Sequence, residues 1–132
     1  MAENINITCN IKNETGNQLS VTDSNLSWGK WQSSPGQISA DTVGSYKASG
    51  RKDSSSGTEG YVTYTAFDGT TFTFNFSINW GTEANSVSNS AGGTNPTNFT
   101  FIRTQSDYAT PETGGDPGSS PVTVYYVIQK NG

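Results

Sequence analysis

Histidine is absent from this 132-residue chain, and cysteine occurs once, at position 9. Without histidine there is no side chain that exchanges protons near neutral pH, and the commonest neutral metal ligand is missing. A single cysteine excludes an intramolecular disulfide and any thiolate metal cluster. Basic residues are also scarce, seven against eleven acids, giving a net charge of −4 and a pI near 4.5. That balance offers no broad positive surface for a phosphate backbone, so no nucleic acid partner is expected, and no polybasic attraction to anionic lipid. Long apolar runs are lacking too. No segment approaches the roughly 18 apolar residues of a membrane-spanning helix, and the opening MAENINITCN has neither the basic start nor the apolar stretch of a secretory signal. The expectation is a protein made in soluble form without a Sec signal.

Catalytic chemistry has little to work with. The acids are scattered through turn-like stretches, and no two stand out as facing carboxylates of a cleft. Asp107 and the Asp116-Pro117-Gly118 turn could offer oxygen ligands to calcium, but no dense Asp-x-Asp spacing occurs, and turn-forming Asp is the commoner meaning. No catalytic residue, cofactor or metal is expected. Five Asn-x-Ser/Thr triplets, at Asn6, Asn13, Asn25, Asn75 and Asn98, are what so Asn/Ser/Thr-rich a sequence gives by chance.

What is present is a polar chain with patterned apolar residues. Leu, Ile, Val and Phe fill only 22 positions while Ser, Thr and Asn fill 49, yet the net charge is too small for a disorder-type composition. The apolar residues fall into short alternating runs, which points to an all-β, antiparallel sandwich of two packed sheets, and the length suits one domain over residues 1–132. Asn4–Lys12 alternates with period two, burying Ile5, Ile7, Cys9 and Ile11, and the turn around Thr15-Gly16-Asn17 predicts a hairpin to a strand at Leu19–Thr22. A short strand is expected at Leu26–Trp31, a less regular one within Gln37–Ala48, and a polar loop at Gly50–Gly60. Asp68-Gly69 predicts a hairpin joining Tyr61–Phe67 to Thr71–Trp80. In the latter, Phe72, Phe74, Phe76, Ile78 and Trp80 share one face and form the expected centre of the core. Glu83–Asn98 reads as a long loop, Phe99–Thr104 as a strand, and Pro111–Pro121 as irregular. Val122–Gln129 is apolar on both faces, so it is expected inside the sandwich and not at an edge.

The three tryptophans are the strongest candidates for a binding surface, because an indole ring partitions well at a membrane interface and anchors partners. Trp28 and Trp31, three apart, lie on opposite faces of an extended strand, so at most one enters the core. Trp80, followed by Gly81, ends its strand and either closes the core or projects toward a ligand. Lys47, Arg51 and Lys52 gather three of the seven basic groups beside Asp53 and could meet a phosphate headgroup; a solvated loop is the alternative meaning.

The segment Asn25–Lys30 (NLSWGK), the loop Gly50–Gly60 (GRKDSSSGTEG) before an aromatic strand, and Asn79-Trp80-Gly81, in that order, resemble the aegerolysins. The stretches IKNETGNQLSVTDSNLSWGKWQSSP and GTEGYVTY are more specifically similar to the small components of bacterial binary insecticidal crystal toxins, which belong to that family. The likeness covers most of residues 5–82. It implies a β-sandwich that binds membrane lipid of target cells and forms pores with a larger partner protein; homo-oligomers are open, and storage in intracellular crystals is implied. Fungal members recognise sphingolipids through tryptophans, two of which correspond to Trp28 and Trp80, and through a loop acid. The place of that acid falls on Ser56, with Glu59 three residues later, and Ile7 or a neighbour replaces an N-terminal tryptophan. The resulting candidate lipid-binding set is Trp28, Trp31, Trp80, Arg51, Lys52, Ser56 and Glu59. A carbohydrate-binding, lectin-like sandwich is the competing reading, since polar loops and exposed rings also describe lectins.

Overall fold

Strict alternation in TTFTFNFSI drives four large apolar side chains to one side of a strand, and the rest of the molecule is arranged to cover them. The computed structural model describes residues 4–52 and 55–132. Among them nine strands are found: β1 (Asn6–Glu14), β2 (Ser20–Trp28), β3 (Lys30–Ser33), β4 (Val43–Ser49), β5 (Thr58–Thr65), β6 (Thr70–Ile78), β7 (Ser86–Gly93), β8 (Phe99–Thr104) and β9 (Val122–Lys130). They form a five-stranded sheet in the order β3-β4-β1-β9-β8 and a four-stranded sheet in the order β2-β5-β6-β7. A 3-10 turn lies at Pro96–Asn98, just before β8. All strand neighbours are antiparallel except β1 and β9, which run parallel.

The core lies between the sheets. Phe72, Phe74, Phe76 and Ile78 of β6 are buried against Ile7, Cys9 and Ile11 of β1, Tyr46 of β4 and Val124, Tyr126 and Ile128 of β9. Phe74 is central, its ring meeting those of Tyr46, Tyr64, Phe101 and Tyr126 at centroid separations of 6.4, 6.0, 4.8 and 4.8 Å, mostly edge to face. Such pairs add to simple area burial. As expected, β9 sits inside its sheet, and the Asp68-Gly69 hairpin joins β5 to β6, its Asp68 carboxylate accepting from the Thr70 N–H at 3.0 Å.

Three expectations need correction. The first two strands are not a hairpin: β1 belongs to the five-stranded sheet and β2 to the other, so the turn at Gly16 carries the chain across the sandwich. Asn13 holds this crossing. Its buried amide donates to the carbonyls of Asn17, Ile38 and Ser39 at 2.7, 3.0 and 3.2 Å while its Oδ1 accepts from the backbone and hydroxyl of Thr15. Glu83–Asn98 is not one loop, because Ser86–Gly93 forms β7, paired with β6 without a register break. Only Val87 of β7 is buried, so there was little apolar period to read. The stretch Leu26–Trp31 is split at Gly29, whose φ of +95° breaks the strand; a Cβ there would lie 2.4 Å from the Ser49 carbonyl oxygen, so glycine alone fits.

Cys9 is fully buried, and desolvation pushes its thiol up to about 12 from an ordinary 9.0. Burial likewise raises Tyr46, Tyr64 and Tyr126. The native state therefore favours the protonated forms, and their stabilising contribution is complete below about pH 9 and lost as pH rises toward 12. Urea midpoints should be flat between neutrality and about pH 9, then fall, with a shallower fall in Cys9→Ala. Native protein should leave Cys9 unmodified by thiol reagents at neutral pH, since the thiolate is the reacting form. Phe74→Ala should cost about 3–5 kcal/mol in urea unfolding.

Candidate functional site

At the end of the four-stranded sheet where β2 and β6 finish and β5 begins, the two most exposed tryptophans come together. Trp28 is 65% and Trp80 46% exposed. Both line an open cleft of about 300 Å³ together with Ser56, Thr58, Glu59 and Glu83. Val43 and Phe67 are exposed as well, but only Trp28 and Trp80 share a cleft, and that clustering marks the candidate contact surface.

The local sequence explains each placement. Trp28 is the last residue of β2, opposite Glu59 of β5, and its carbonyl accepts from the Thr58 hydroxyl at 3.2 Å. Gly29 then turns the chain, so Trp31 enters the other sheet. Its half-buried ring packs edge-on against Tyr46 at 5.8 Å and Phe76 at 6.4 Å. One of this pair is thus exposed and the other structural. Trp80 lies two residues past the end of β6 and does not continue the buried Phe/Ile row; it projects from a loop that Asn79 and Asn85 pin. The Asn79 N–H donates to Asn85 Oδ1 at 2.8 Å and its amide to the Ala84 carbonyl at 2.7 Å, while the Asn85 amide donates to the Gly118 carbonyl at 2.8 Å. Sequence reading missed Asn79, Asn85 and Glu83; the only signal was the Asn79-Trp80-Gly81 triplet itself.

Glu59 and Ser56 thus share the cleft with both tryptophans. Arg51 and Lys52 are exposed and do not line it; the Arg51 Nε–H donates at 3.4 Å to the carbonyl of Gly29, the residue after Trp28. Lys47 stands apart on β4 across from Thr8, so the basic triplet is divided. Asp53 lies outside the described residues. The turn reading of the remaining acids matches the geometry: Asp107 Oδ1 accepts from the N–H groups of Ala109 and Thr110, and Asp116 Oδ1 from that of Gly118. The Thr110 hydroxyl and backbone N–H hold the Asp107 carboxyl below its usual range.

The aegerolysin family model matches residues 4–119. The chain belongs to the aegerolysin family. No curated protein matches it by sequence. Among solved structures this aegerolysin is similar to IP-1A from Alcaligenes faecalis, at 20% identity and TM-score 0.69 over 99% of this chain and 94% of that one. It is similar to the RahU protein, at 17% identity and TM-score 0.74 over 99% and 98%, and to the lipid binding protein Nakanori, at 11% and 0.70 over 96% and 71%. At these identities the likeness is one of fold: all three share the sandwich on which the Trp28–Trp80 cleft is built.

The two classes of tryptophan should separate experimentally. Trp31→Ala should cost about 3–5 kcal/mol in stability, as for a packed aromatic, whereas Trp28→Ala and Trp80→Ala should each change it by less than about 0.5–1 kcal/mol. Acrylamide quenching of native fluorescence should fall mainly on Trp28 and Trp80 and decline when either is removed.

Proposed function

We propose that this aegerolysin is the membrane-lipid-binding component of a pore-forming, insecticidal toxin, acting with a larger partner protein. The observation that carries the proposal is the pair of exposed rings, Trp28 and Trp80, on one cleft at one end of the sandwich. Amphipathic indoles at a molecular end are suited to enter the headgroup region of a bilayer. Nakanori, similar in fold, is a lipid binding protein, and membership of the family supports the same reading.

Each structural element takes a part. Trp28 and Trp80 enter the interface; Ser56, Glu59 and Glu83 face polar headgroup atoms; the exposed Arg51 and Lys52 meet lipid phosphate. Trp31 packs on Tyr46 and Phe76 instead. With a net charge of −4 the chain has no long-range attraction to acidic membranes, so the reading favours neutral or zwitterionic lipid. Among the described residues no helix is long and apolar enough to cross a membrane. In this reading the chain docks, or rearranges a β-hairpin, beside the larger protein. The reaction-free role follows the available chemistry: recognition by shape, indole insertion and hydrogen bonding.

Sedimentation with liposomes of insect midgut lipids tests it. The protein should co-sediment, with little loss on raising salt, and Trp28→Ala or Trp80→Ala should weaken binding by about tenfold to a hundredfold, the range for losing one buried large side chain. Absence of binding to any lipid or midgut membrane would overturn the proposal.

A further inference from the structure

The outer, solvent-facing side of the four-stranded sheet is not uniform. Toward the β5–β6 hairpin its polar groups satisfy one another: Thr63 Oγ1 lies 2.9 Å from Thr73 Oγ1, Thr22 Oγ1 lies 2.8 Å from Thr65 Oγ1, and the Tyr61 hydroxyl donates to Asp23 Oδ2 at 2.9 Å. Toward the tryptophan end the same face is hollowed into a groove of about 340 Å³. Two transverse rows, set by strand register, line it: Glu59, Ser77 and Ser86 in one, and Tyr61, Asn75 and Ser88 in the next.

One local feature shapes the hollow: a register break in β2 between Leu26 and Trp28 turns Ser27 into the groove. Beneath it the strands close up tightly at Gly60, where a core-facing Cβ would stand 2.2 Å from the Asn25 carbonyl oxygen. The side chains of Ser27, Asn75, Ser86 and Ser88 line it without a hydrogen-bonding partner among the described residues. Asn13, Asn79, Asn85, Asn89 and Asn95, in contrast, all spend their amides on internal bonds. Glu59 is the one charged residue of the groove; its Oε1 accepts from the Ser77 hydroxyl at 3.1 Å, and it also lines the tryptophan cleft.

Free hydroxyls and an amide supply donors and acceptors in equal measure, a carboxylate accepts from hydroxyls and repels anions, and the Tyr61 ring offers an apolar face. That set suits an uncharged polyhydroxylated ring. We propose that the groove binds a neutral saccharide and, because Glu59 joins it to the tryptophan cleft, that this saccharide is the headgroup of a glycolipid whose interfacial portion meets Trp28 and Trp80. The inference rests on the lipid-binding reading and specifies its ligand class. Asn75 and Ser88 are specificity-determining residues; the tryptophans supply binding shared by all lipids.

The test compares full-length protein on phosphatidylcholine vesicles with and without glucosylceramide or lactosylceramide, alongside soluble lactose and cellobiose followed by amide chemical shifts. Expected is at least about a tenfold gain from the glycosylated lipid, the worth of about 1.4 kcal/mol. Asn75→Ala and Ser88→Ala, both on the exposed face, should lose that gain and keep plain-vesicle binding, while Trp28→Ala lowers both. Equal binding with and without sugar, or a gain that survives Asn75→Ala and Ser88→Ala, would overturn the groove assignment and leave the lipid reading standing. No vesicle binding together with sugar-induced shifts at Tyr61 and Asn75 would retain the saccharide site and overturn its lipid-borne source. No response to vesicles or soluble sugar overturns both.

Discussion

The packing of the β6 aromatic row against Tyr46 and Tyr126 of the opposite sheet is the contact on which the molecule depends. A chain with so few Leu, Ile, Val and Phe residues has to concentrate its apolar area, and it does so by giving one strand Phe72, Phe74, Phe76 and Ile78 in alternation and setting edge-on rings across from them. Large side chains of about 1.5–3 kcal/mol each let a mostly Ser/Thr/Asn sequence close two sheets. Those rings fill the space between the sheets, and the outer face of the four-stranded sheet and its end stay open to solvent.

The same strand connects core and site. The hydrogen-bond ladder that keeps the Phe side chains inward turns Asn75 and Ser77 outward, and the end of the ladder at Ile78 releases Trp80 into the pinned Asn79–Asn85 loop. Gly29 makes an equivalent division in the first half of the chain, sending Trp28 to solvent and Trp31 to the core. Two positions of exposed indole thus follow directly from two points where strands stop.

Legibility in the sequence followed apolar contrast. The β5–β6 hairpin was readable because Asp68-Gly69 separates two strongly alternating runs, and central β9 because Tyr125 and Val127 make its second face apolar as well. β7 was not, since Ser-Val-Ser-Asn-Ser-Ala-Gly-Gly takes its strand conformation from pairing with β6 and buries a single valine. Nor does alternation say which sheet a strand joins; β1 and β2 part company through Asn13, a lone polar residue whose bonds reach carbonyls more than twenty positions away. At the site, Trp28 and Trp80 stood out as residues, but their meeting in one cleft, and the groove beside it, come from strand register and a bulge in β2, neither of which has a residue-level signature.

The parallel pairing of β1 with β9 sets an order of events during synthesis. Strand β1 lies between β4 and β9, and β9 lies between β1 and β8, so the centre of the five-stranded sheet is assembled from segments more than a hundred positions apart. A nascent chain still lacking residues 122–130 can form the β5–β6–β7 meander but must leave one flank of β1 bare. Contacts of such sequence separation slow folding and prolong the exposure of sticky edges. Until residues 122–130 emerge, the backbone N–H and C=O groups of β1 on that flank are an unpaired strand edge of the kind that templates aggregation.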